Sequence, residues 1–488
     1  FYNTNGGVNS IALADFDGDG DLDIAAANIT GNQTAVLFND GSGVFSGLVN
    51  YTIGSSPRSV AAGDFDSDGD IDLAFTPSGG GNNVGIMMNT GLGTFTPVVN
   101  YAVGANPSFV VAGAIDANNS LDLAVGYLAG TSVSTLMNSG TGTFGAAANY
   151  TAGTTPQGVA LGDVNGDGFL DLVSANSGTN NASVLLNNGS GVMGTAVNYA
   201  VGVNPRMPVL GDVDGDGDLD MAVLNQTPNN VSVLLNVTPM TVLGNIPPFT
   251  PRPTTAPLMN TMNVGTPAGS PVKVPTDIDI AFSQNLAPWV FTNGASPNAR
   301  DAMKVHGTTS RGYRSGTGFS SVSATTLRFS TTANFNPGEQ VWVSVTNAQS
   351  TGGASTRPFV MGFRTAAGAG PGTFPAQPAG SPFAVGTAPR SAAFGDVDGD
   401  GDLDVATANA GSNVSVLLNN GSGAYTPAVG SPFAIGGTIP RSVTFGDVDG
   451  DGDLDLATAN DGTNNVSVLL NNGSGSYAPA VGSPFAVG

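Results

Sequence analysis

The sequence contains no cysteine among its 488 residues, and it has only one histidine, His306, and one glutamate, Glu339. The absence of cysteine excludes disulfides, thiolate metal sites and a cysteine nucleophile. With a single histidine and a single glutamate, the residues that usually carry acid/base chemistry are nearly absent. Because no Ser-His-Asp set or phosphate-binding loop stands out either, we expect the protein not to be an enzyme.

Positive charge and long apolar runs are also scarce. Thirteen Lys and Arg face 36 Asp and Glu, which gives a formal net charge of -23. That balance argues against nucleic acid, whose phosphates attract basic surfaces, and against anionic lipid. No window approaches the roughly 18 apolar residues of a membrane-spanning helix. We expect a secreted, extracellular protein. Because the chain starts at Phe1 without a basic or apolar leader, we expect any secretion signal to have been removed already.

One nine-residue string accounts for most of the acidic charge. It reads DFDGDGDLD at 15–23, DFDSDGDID at 64–72, and DVDGDGDLD at 212–220, 396–404 and 447–455. Two variants, AIDANNSLD at 114–122 and DVNGDGFLD at 163–171, complete the series, which we number acidic loops 1 to 7 in chain order. The seven loops hold 30 of the 36 acidic residues, so the charge forms local sites and not a general coat.

The repeat unit predicts the fold. The loops recur at intervals of about 50 residues, apart from one longer interval, and each unit contains four short apolar or alternating runs with Asn-Gly turn chemistry between the third and fourth. Four strands in a period of this length are typical of propeller blades. We therefore predict an all-β, seven-bladed β-propeller. An aromatic strand end occurs eight times, at Phe1-Tyr2 and again at Phe485, so one terminus completes the ring and the spare one could pair elsewhere.

The acidic loop has the ligand pattern of a calcium site. In loop 1, Asp15, Asp17, Asp19 and Asp23 occupy positions one, three, five and nine, and Gly20 allows a sharp bend at position six. Ca²⁺ takes six to eight oxygen ligands, including a backbone carbonyl, which we expect at position seven, whereas Mg²⁺ prefers to keep its waters. An EF-hand would need Glu at position twelve, where this loop has Ala26. A solvated acidic turn is the alternative, and the recurrence in register disfavours it.

We expect six or seven calcium ions. Loop 4 has Asn165 in place of a carboxylate and Phe169 supplying a carbonyl, and loop 3 keeps so few acids that it should bind weakly or stay empty. The predicted ligands, loop by loop, are Asp15, Asp17, Asp19, Asp21 and Asp23; Asp64, Asp66, Asp68, Asp70 and Asp72; Asp116, Asn118 and Asp122; Asp163, Asn165, Asp167, Phe169 and Asp171; Asp212, Asp214, Asp216, Asp218 and Asp220; Asp396, Asp398, Asp400, Asp402 and Asp404; Asp447, Asp449, Asp451, Asp453 and Asp455.

The strings GDVDGDGDLDLATAN at 446–460 and NNVSVLLNNGSGSY at 464–477 resemble the FG-GAP/VCBS repeat family, known from integrin α heads and secreted bacterial surface proteins. The resemblance implies a calcium-stabilised propeller with its metal loops on one face. It also implies adhesion or assembly as the usual role. Loop 3 departs from the family pattern. A shared fold does not identify the ligand.

The longer interval contains an insertion, which divides the chain into propeller residues 1–236, an inserted domain at 237–370 and propeller residues 371–488. Alternating runs at 276–282, 326–329 and 340–345 predict a β-sandwich. VPTDIDIAFSQNL and TTLRFSTTANFNPGEQVWVSV resemble the Ig-like domains of bacterial surface-layer proteins. The insertion has a net charge of +5, while the propeller carries 32 acids and four arginines. The insertion could dock on its own ring or on a neighbour's, or its charges could simply be solvated.

The four propeller arginines share one place in the repeat, just before the first strand. They are Arg58, Arg206, Arg390 and Arg441, and the counterparts in the other units are Asn9, Ser108 and Gln157. We expect these seven residues to ring the central channel on the face opposite the calcium loops. An anion, acidic sugar or carboxylate tail could bind there. Alternatively, the arginines serve neighbouring carbonyls or acids.

Two functions fit the sequence. The first is a non-enzymatic, calcium-binding structural or adhesive protein of a cell surface, which could assemble with itself or with other surface proteins or glycans into a filament, sheath or surface layer. The second is a lectin or adhesin head that binds carbohydrate or protein on the face opposite calcium. We favour the first, because of the spare strand end and the oppositely charged insertion.

Overall fold

The computed structural model describes residues 7–29, 31–53, 56–77, 80–236, 372–374 and 377–487, together with segments 259–265, 277–282, 304–307, 319–323, 326–330, 339–345 and 359–364. Regular structure in these residues is entirely β. None of them forms a helix with the length and apolar character needed to cross a membrane.

Seven antiparallel sheets follow one another around the molecule, each with four strands in sequence order, and the fourth strand of the last two sheets is split into two short pieces. Blade by blade, the strands are β1 (Val8–Ala14), β2 (Asp23–Asn28), β3 (Gln33–Asn39) and β4 (Phe45–Thr52); β5 (Pro57–Gly63), β6 (Asp72–Pro77), β7 (Asn83–Met87) and β8 (Val99–Ala102); β9 (Pro107–Gly113), β10 (Asp122–Tyr127), β11 (Ser132–Leu136) and β12 (Ala148–Thr151); β13 (Pro156–Gly162), β14 (Asp171–Asn176), β15 (Asn181–Leu185) and β16 (Val197–Ala200); β17 (Val203–Gly211), β18 (Asp220–Thr227), β19 (Asn230–Leu234) and β27 (Phe383–Ala384); β28 (Pro389–Gly395), β29 (Asp404–Asn409), β30 (Asn413–Asn419), β31 (Tyr425–Pro427) and β32 (Phe433–Ala434); β33 (Pro440–Gly446), β34 (Asp455–Asn460), β35 (Asn465–Asn471), β36 (Tyr477–Pro479) and β37 (Phe485–Ala486).

The first strands of the blades form the inner wall of the ring. Each packs against the first strand of the next blade, and β33 of the last blade packs against β1 of the first. The C-terminal strand β37 pairs with β35 of its own blade, and Phe485 packs edge-to-face on Phe45 with ring centroids 5.3 Å apart. The chain is therefore a closed, seven-bladed β-propeller, completed by its C-terminal strand. The spare aromatic pair at Phe1-Tyr2 lies outside the described residues.

Among the described residues of the propeller, the hydrophobic core is divided into seven clusters, one at each junction between blades. Between blades 1 and 2, for example, Phe16 and Val36 pack with Ile71, Leu73 and Phe75, all nearly inaccessible to solvent. Each strand alternates its side chains between the two faces of a blade, so each face contributes to a different cluster, shared with the blade on that side. Buried apolar contacts thus occur at every junction between blades.

The turn between the third and fourth strands differs from the Asn-Gly turn that the sequence predicts. In blade 7 the backbone N–H of Asn472 bonds to the carbonyl of Ser476, and the residues with positive φ are Gly473 and Gly475, at 77° and 70°. A two-residue type I′ turn would require positive φ at both central residues. The turn is therefore wider, and its glycines adopt the left-handed conformation in place of the asparagine.

The insertion enters blade 5 between β19 and β27, and these two strands pair with each other across it. Its described strands form a four-stranded and a three-stranded antiparallel sheet. They are β20 (Met259–Gly265), β21 (Asp277–Phe282), β24 (Thr326–Ser330) and β23 (Phe319–Ser323), then β22 (Lys304–Gly307), β25 (Gln340–Val345) and β26 (Phe359–Arg364). The three-stranded sheet contacts the propeller, because the N–H of Val360 donates to the carbonyl of Gly69 in acidic loop 2 at 2.8 Å.

Candidate metal centres and the central cavity

Each acidic loop joins the first strand of a blade to the second. In the six loops with aspartate at position one, that carboxylate accepts backbone N–H groups of its own loop, whereas loop 3 has Ala114 there. In loop 1 the Oδ1 of Asp15 accepts from the N–H of Gly18 at 2.7 Å, and its Oδ2 accepts from the N–H of Gly20 at 2.9 Å. The same pair of bonds recurs in loop 7, from Gly450 and Gly452 to Asp447. The carboxylate at position one therefore curls the loop around itself.

Position six supplies the bend that the sequence predicts. Gly20 has φ 94° and its equivalents in loops 2, 4, 5, 6 and 7 have φ between 91° and 99°. Loop 3 has Asn119 at this place, with φ 62°. Glycine accepts a left-handed backbone without strain and asparagine tolerates it, so even the divergent loop keeps the shape.

Carboxylates converge in five of the loops. In each, three aspartates present oxygen atoms that all lie within 4.8 Å of one another. The clusters are Asp15, Asp17 and Asp19; Asp64, Asp66 and Asp72; Asp212, Asp214 and Asp220; Asp396, Asp398 and Asp404; Asp447, Asp449 and Asp455. Among the described residues, loops 3 and 4 form no such three-acid cluster, which agrees with their substitutions at positions one, three and five.

Burial raises the pKa of several carboxylates in these clusters. Burial, reinforced by the carboxylates of Asp68 and Asp66, raises the pKa of Asp64 to about 7. Burial also raises the pKa of Asp72 and of Asp220 to about 9, against the opposing effect of their backbone hydrogen bonds. Several buried carboxylates packed together favour the neutral form unless a cation joins them.

In the described part of the chain, two carboxylate oxygens of the acidic loops have no hydrogen-bond partner. Within the described residues, Oδ1 of Asp66 and Oδ1 of Asp214, both at position three, are buried and accept no hydrogen bond. A buried oxygen of this kind is destabilising unless an ion or water completes it. Hard carboxylate oxygens around a tight loop are the donor set that Ca²⁺ prefers, so the residues present fit the predicted ion.

In loops 1 and 7 the aspartate side chain at position seven lies against the turn between the third and fourth strands of its blade. A Cβ placed on Gly41, in the turn of the same blade, would lie 2.6 Å from Oδ2 of Asp21. Asp453 relates to Gly473 in the same way, also at 2.6 Å. This side chain faces the turn, which leaves the backbone carbonyl as the group that position seven can offer to a metal.

The carboxylate at position nine has a second task. In loop 1, Oδ2 of Asp23 accepts from the N–H of Phe16 at 2.8 Å, and Oδ1 accepts from the N–H of Asn39 at 2.9 Å. Asp23 is fully buried, and burial raises its pKa well above the ordinary value. Position nine thus ties the acidic loop to the end of the third strand.

An asparagine at the end of the third strand links neighbouring blades, and the sequence reading assigned it only to a turn. Its Nδ2 donates to the carbonyl at position two of the preceding blade's acidic loop, at 2.7–2.8 Å in all seven blades. The seven donors, here called the latch asparagines, are Asn39, Asn89, Asn138, Asn187, Asn236, Asn419 and Asn471. The signal available in the sequence was the recurrence of this asparagine 15 to 17 residues after position nine.

The four arginines meet in one cavity at the opposite end of the inner strands. A cavity of about 110 Å³ is lined by Asn9, Arg58, Ser108, Gln157, Arg206, Arg390 and Arg441, together with their strand neighbours. The strand from Asn9 to Ala14 separates this end from Asp15. At about 3.3 Å per residue, the arginines lie roughly 20 Å from the acidic loops. We call this space the arginine cavity.

The described residues form a β-propeller, and five of its acidic loops contain carboxylate clusters that could hold a metal ion. Four segments match the model of the FG-GAP-like repeat, at residues 15–75, 115–174, 163–223 and 396–458. The chain therefore contains FG-GAP-like repeats, arranged as a seven-bladed propeller.

No curated protein matches the chain. Among solved structures, it is similar to a lectin of Agrocybe aegerita that recognises non-reducing terminal N-acetylglucosamine, with 14% identity, a TM-score of 0.39, and coverage of 86% of this chain and 79% of that one. It is also similar to the V. cholerae biofilm matrix protein Bap1, with 13% identity, a TM-score of 0.38, and coverage of 96% and 87%. A catalytically inactive virginiamycin B lyase from Staphylococcus aureus matches at 13% identity and a TM-score of 0.30, covering 58% and 94%. At this identity these likenesses carry no functional argument.

Proposed function

We propose that the protein is an extracellular, non-catalytic propeller that binds calcium in its acidic loops and serves as a structural or adhesive component of a cell surface. The observation that carries the calcium assignment is the convergence of three carboxylates in each of five loops, with buried, unpartnered oxygens at Asp66 and Asp214. Calcium would neutralise these carboxylates and hold each loop closed. We count six or seven ions, with loop 3 the weakest site.

The insertion is assigned in the same proposal to an Ig-like domain of residues 237–370. Support comes from its four-stranded and three-stranded antiparallel sheets. Its net charge of +5 faces a propeller with 32 acids and four arginines, which favours association between them. The contact from Val360 to Gly69 of acidic loop 2 fits an insertion held against the acidic face.

A calcium titration with a matched thermal measurement tests the metal assignment. Because an ion that binds only the folded state stabilises it by mass action, Ca²⁺ should raise the unfolding temperature and EGTA should lower it sharply. Mg²⁺ at the same concentration is the control and should stabilise far less. An EGTA-treated sample that melts like the calcium-loaded one would contradict the assignment.

A second function, a binding head for carbohydrate or protein, is favoured by the arginine cavity on the face opposite the acidic loops. Electron microscopy of the purified, calcium-loaded protein separates the two functions. Ordered polymers support assembly into a surface structure, whereas monodisperse particles that bind glycans on an array support the binding head.

A further inference from the structure

We propose that the arginine cavity is a binding site for an oxyanion group, a carboxylate or sulfate, held between Arg58, Arg206 and Arg390 at the end of the central channel. This inference does not depend on the proposed calcium function, because the cavity lies at the other end of the inner strands.

The first argument is charge. Four guanidinium groups line a single cavity of about 110 Å³, and the repulsion among them is strong enough to lower the pKa values of Arg58, Arg206 and Arg390, after the larger effect of burial. For Arg206 the result is a pKa of about 10. Clustered like charges at a half-buried site are unfavourable unless something of opposite charge joins them.

The second argument is that, within the described residues, one carboxylate forms an ion pair with one of the four arginines of the cavity. Arg441 donates to Oδ2 of Asp461 from Nε at 2.9 Å and from Nη2 at 2.5 Å. Arg206 instead bonds neutral amides, with Nε donating to Oε1 of Gln226 at 3.0 Å and Nη1 donating to Oε1 of Gln157. Positive charge therefore exceeds negative charge around the cavity.

The third argument comes from the repeat, which provides an internal comparison. Each blade contributes to the cavity one residue, the equivalent of Arg58 in its repeat. In three blades this residue forms a side-chain hydrogen bond with the residue twenty positions later: Gln157 with Ser177, Arg206 with Gln226, and Arg441 with Asp461. In blade 6 that position is Ala410, which offers no polar side-chain atom to Arg390. Within the described residues, Nε of Arg390 is buried and has no hydrogen-bond partner.

A further unpartnered atom lies on the same cavity. Oδ1 of Asn9 is buried without a partner among the described residues, and Asn9 lines the space with Arg390. This oxygen is an acceptor, so it calls for a donor such as water, and the inference depends instead on the unpartnered donor of Arg390. The fold does not require arginine here, because three blades have Asn9, Ser108 and Gln157 at the equivalent place.

The chemistry of these donors identifies the ligand class. Guanidinium groups stay charged and present paired N–H donors that match the oxygens of carboxylate and sulfate. A single ordered water needs roughly 10–15 Å³ of such space. The cavity therefore accepts a group of several atoms, such as a sulfate ion or the carboxylate end of a sugar acid.

The test is a titration of calcium-loaded protein with sodium sulfate against sodium chloride at equal ionic strength, followed by thermal unfolding and calorimetry. We expect calorimetry to detect sulfate binding. Because sulfate also stabilises folded proteins in general, the rise in unfolding temperature from chloride to sulfate should be larger in the unaltered protein than in Arg390→Gln. Arg390→Gln should weaken sulfate binding about tenfold or more, which is the effect of losing one charged hydrogen bond. Arg58→Gln should act in the same direction. Glutamine occupies the equivalent position in blade 4, so both variants should fold.

Arg311→Gln, which removes the same charge from the insertion, is the matched control and should leave sulfate binding unchanged. Glucuronate is then added to the sulfate complex. If glucuronate displaces sulfate, the preferred ligand is the carboxylate of a sugar acid. If sulfate stays bound, the preferred ligand is a free inorganic anion. Both results support the site. Equal effects of sulfate and chloride, or unchanged sulfate binding in both arginine variants, would overturn the proposal.

Discussion

The side-chain Nδ2 of Asn39 donates to the backbone carbonyl of Val448 at 2.8 Å, and this bond joins the first blade to the last. Val448 is position two of acidic loop 7, and its N–H donates to Oδ2 of Asp455, at position nine of the same loop. Asp455 in turn accepts from the N–H of the next latch asparagine, Asn471. Carboxylate, loop backbone and amide therefore alternate around the ring, so hydrogen bonds connect each acidic loop to both neighbouring blades.

The latch predicts a large effect of a small substitution. In Asn89→Ala, the carbonyls of Phe16 and Ile71, which now accept from Nδ2 at 2.8 and 3.2 Å, would remain buried without a donor. We expect the free energy of unfolding to fall by about 1–3 kcal/mol. Denaturant unfolding in excess calcium measures this change in the free energy of unfolding. The control is Asn50→Ala on the exposed face of β4, which should be nearly neutral, and equal effects of the two would contradict the latch.

In loop 3, the structural role of the position-nine carboxylate can be measured apart from metal binding, because this loop is expected to bind metal weakly or not at all. Asp122, at position nine, accepts from the N–H groups of Ile115, Asp116 and Asn138 at 2.8, 3.2 and 2.6 Å, and its burial raises its pKa to about 6. Asp122→Ala would leave these backbone donors without their acceptor. We expect it to lower the free energy of unfolding by about 2 kcal/mol or more, with or without calcium.

Asp116→Ala is the matched variant in the same loop. Asp116 accepts from the N–H of Asn118 at 3.0 Å in an exposed setting, so its loss should be nearly neutral. Thermal unfolding of both variants, in calcium and after chelation, shows whether the destabilisation by Asp122→Ala depends on calcium. A destabilisation by Asp122→Ala that appears only in calcium would show that loop 3 is a metal site after all.

The sequence predicted the architecture because its signals repeat. Seven acidic loops in register identify seven blades, and alternation identifies the strands, so errors at single positions average out. The latch was missed because the sequence around an asparagine at the start of a turn is the same whether its side chain faces solvent or a neighbouring blade. Its partner, Val448 for Asn39, lies 409 residues away, and only closure of the ring brings the two together.

The ranking of the metal sites gives a prediction for titration. Asp447→Ala removes one carboxylate of a three-acid cluster, together with the acceptor for the N–H groups of Gly450 and Gly452. We expect the calcium stoichiometry measured by calorimetry to fall by about one ion, because the remaining ligands are too few to hold it. Asp116→Ala should leave the stoichiometry unchanged. Equal losses in the two variants would contradict the ranking.

The stability of the metal-free protein should fall as the pH rises. Burial raises the pKa of Asp404 and Asp455 to about 8 and that of Asp72 and Asp220 to about 9, above an unfolded value near 4. Between these limits the folded state binds more protons than the unfolded state, so unfolding releases protons and is favoured by higher pH. Protein stripped on a chelating resin should therefore melt at a lower temperature at pH 8.5 than at pH 5.5. Calcium should reduce or reverse the difference, because it binds the ionised carboxylates. A metal-free melting temperature that rises over this range would show that these carboxylates are already ionised and stabilised by groups other than a metal.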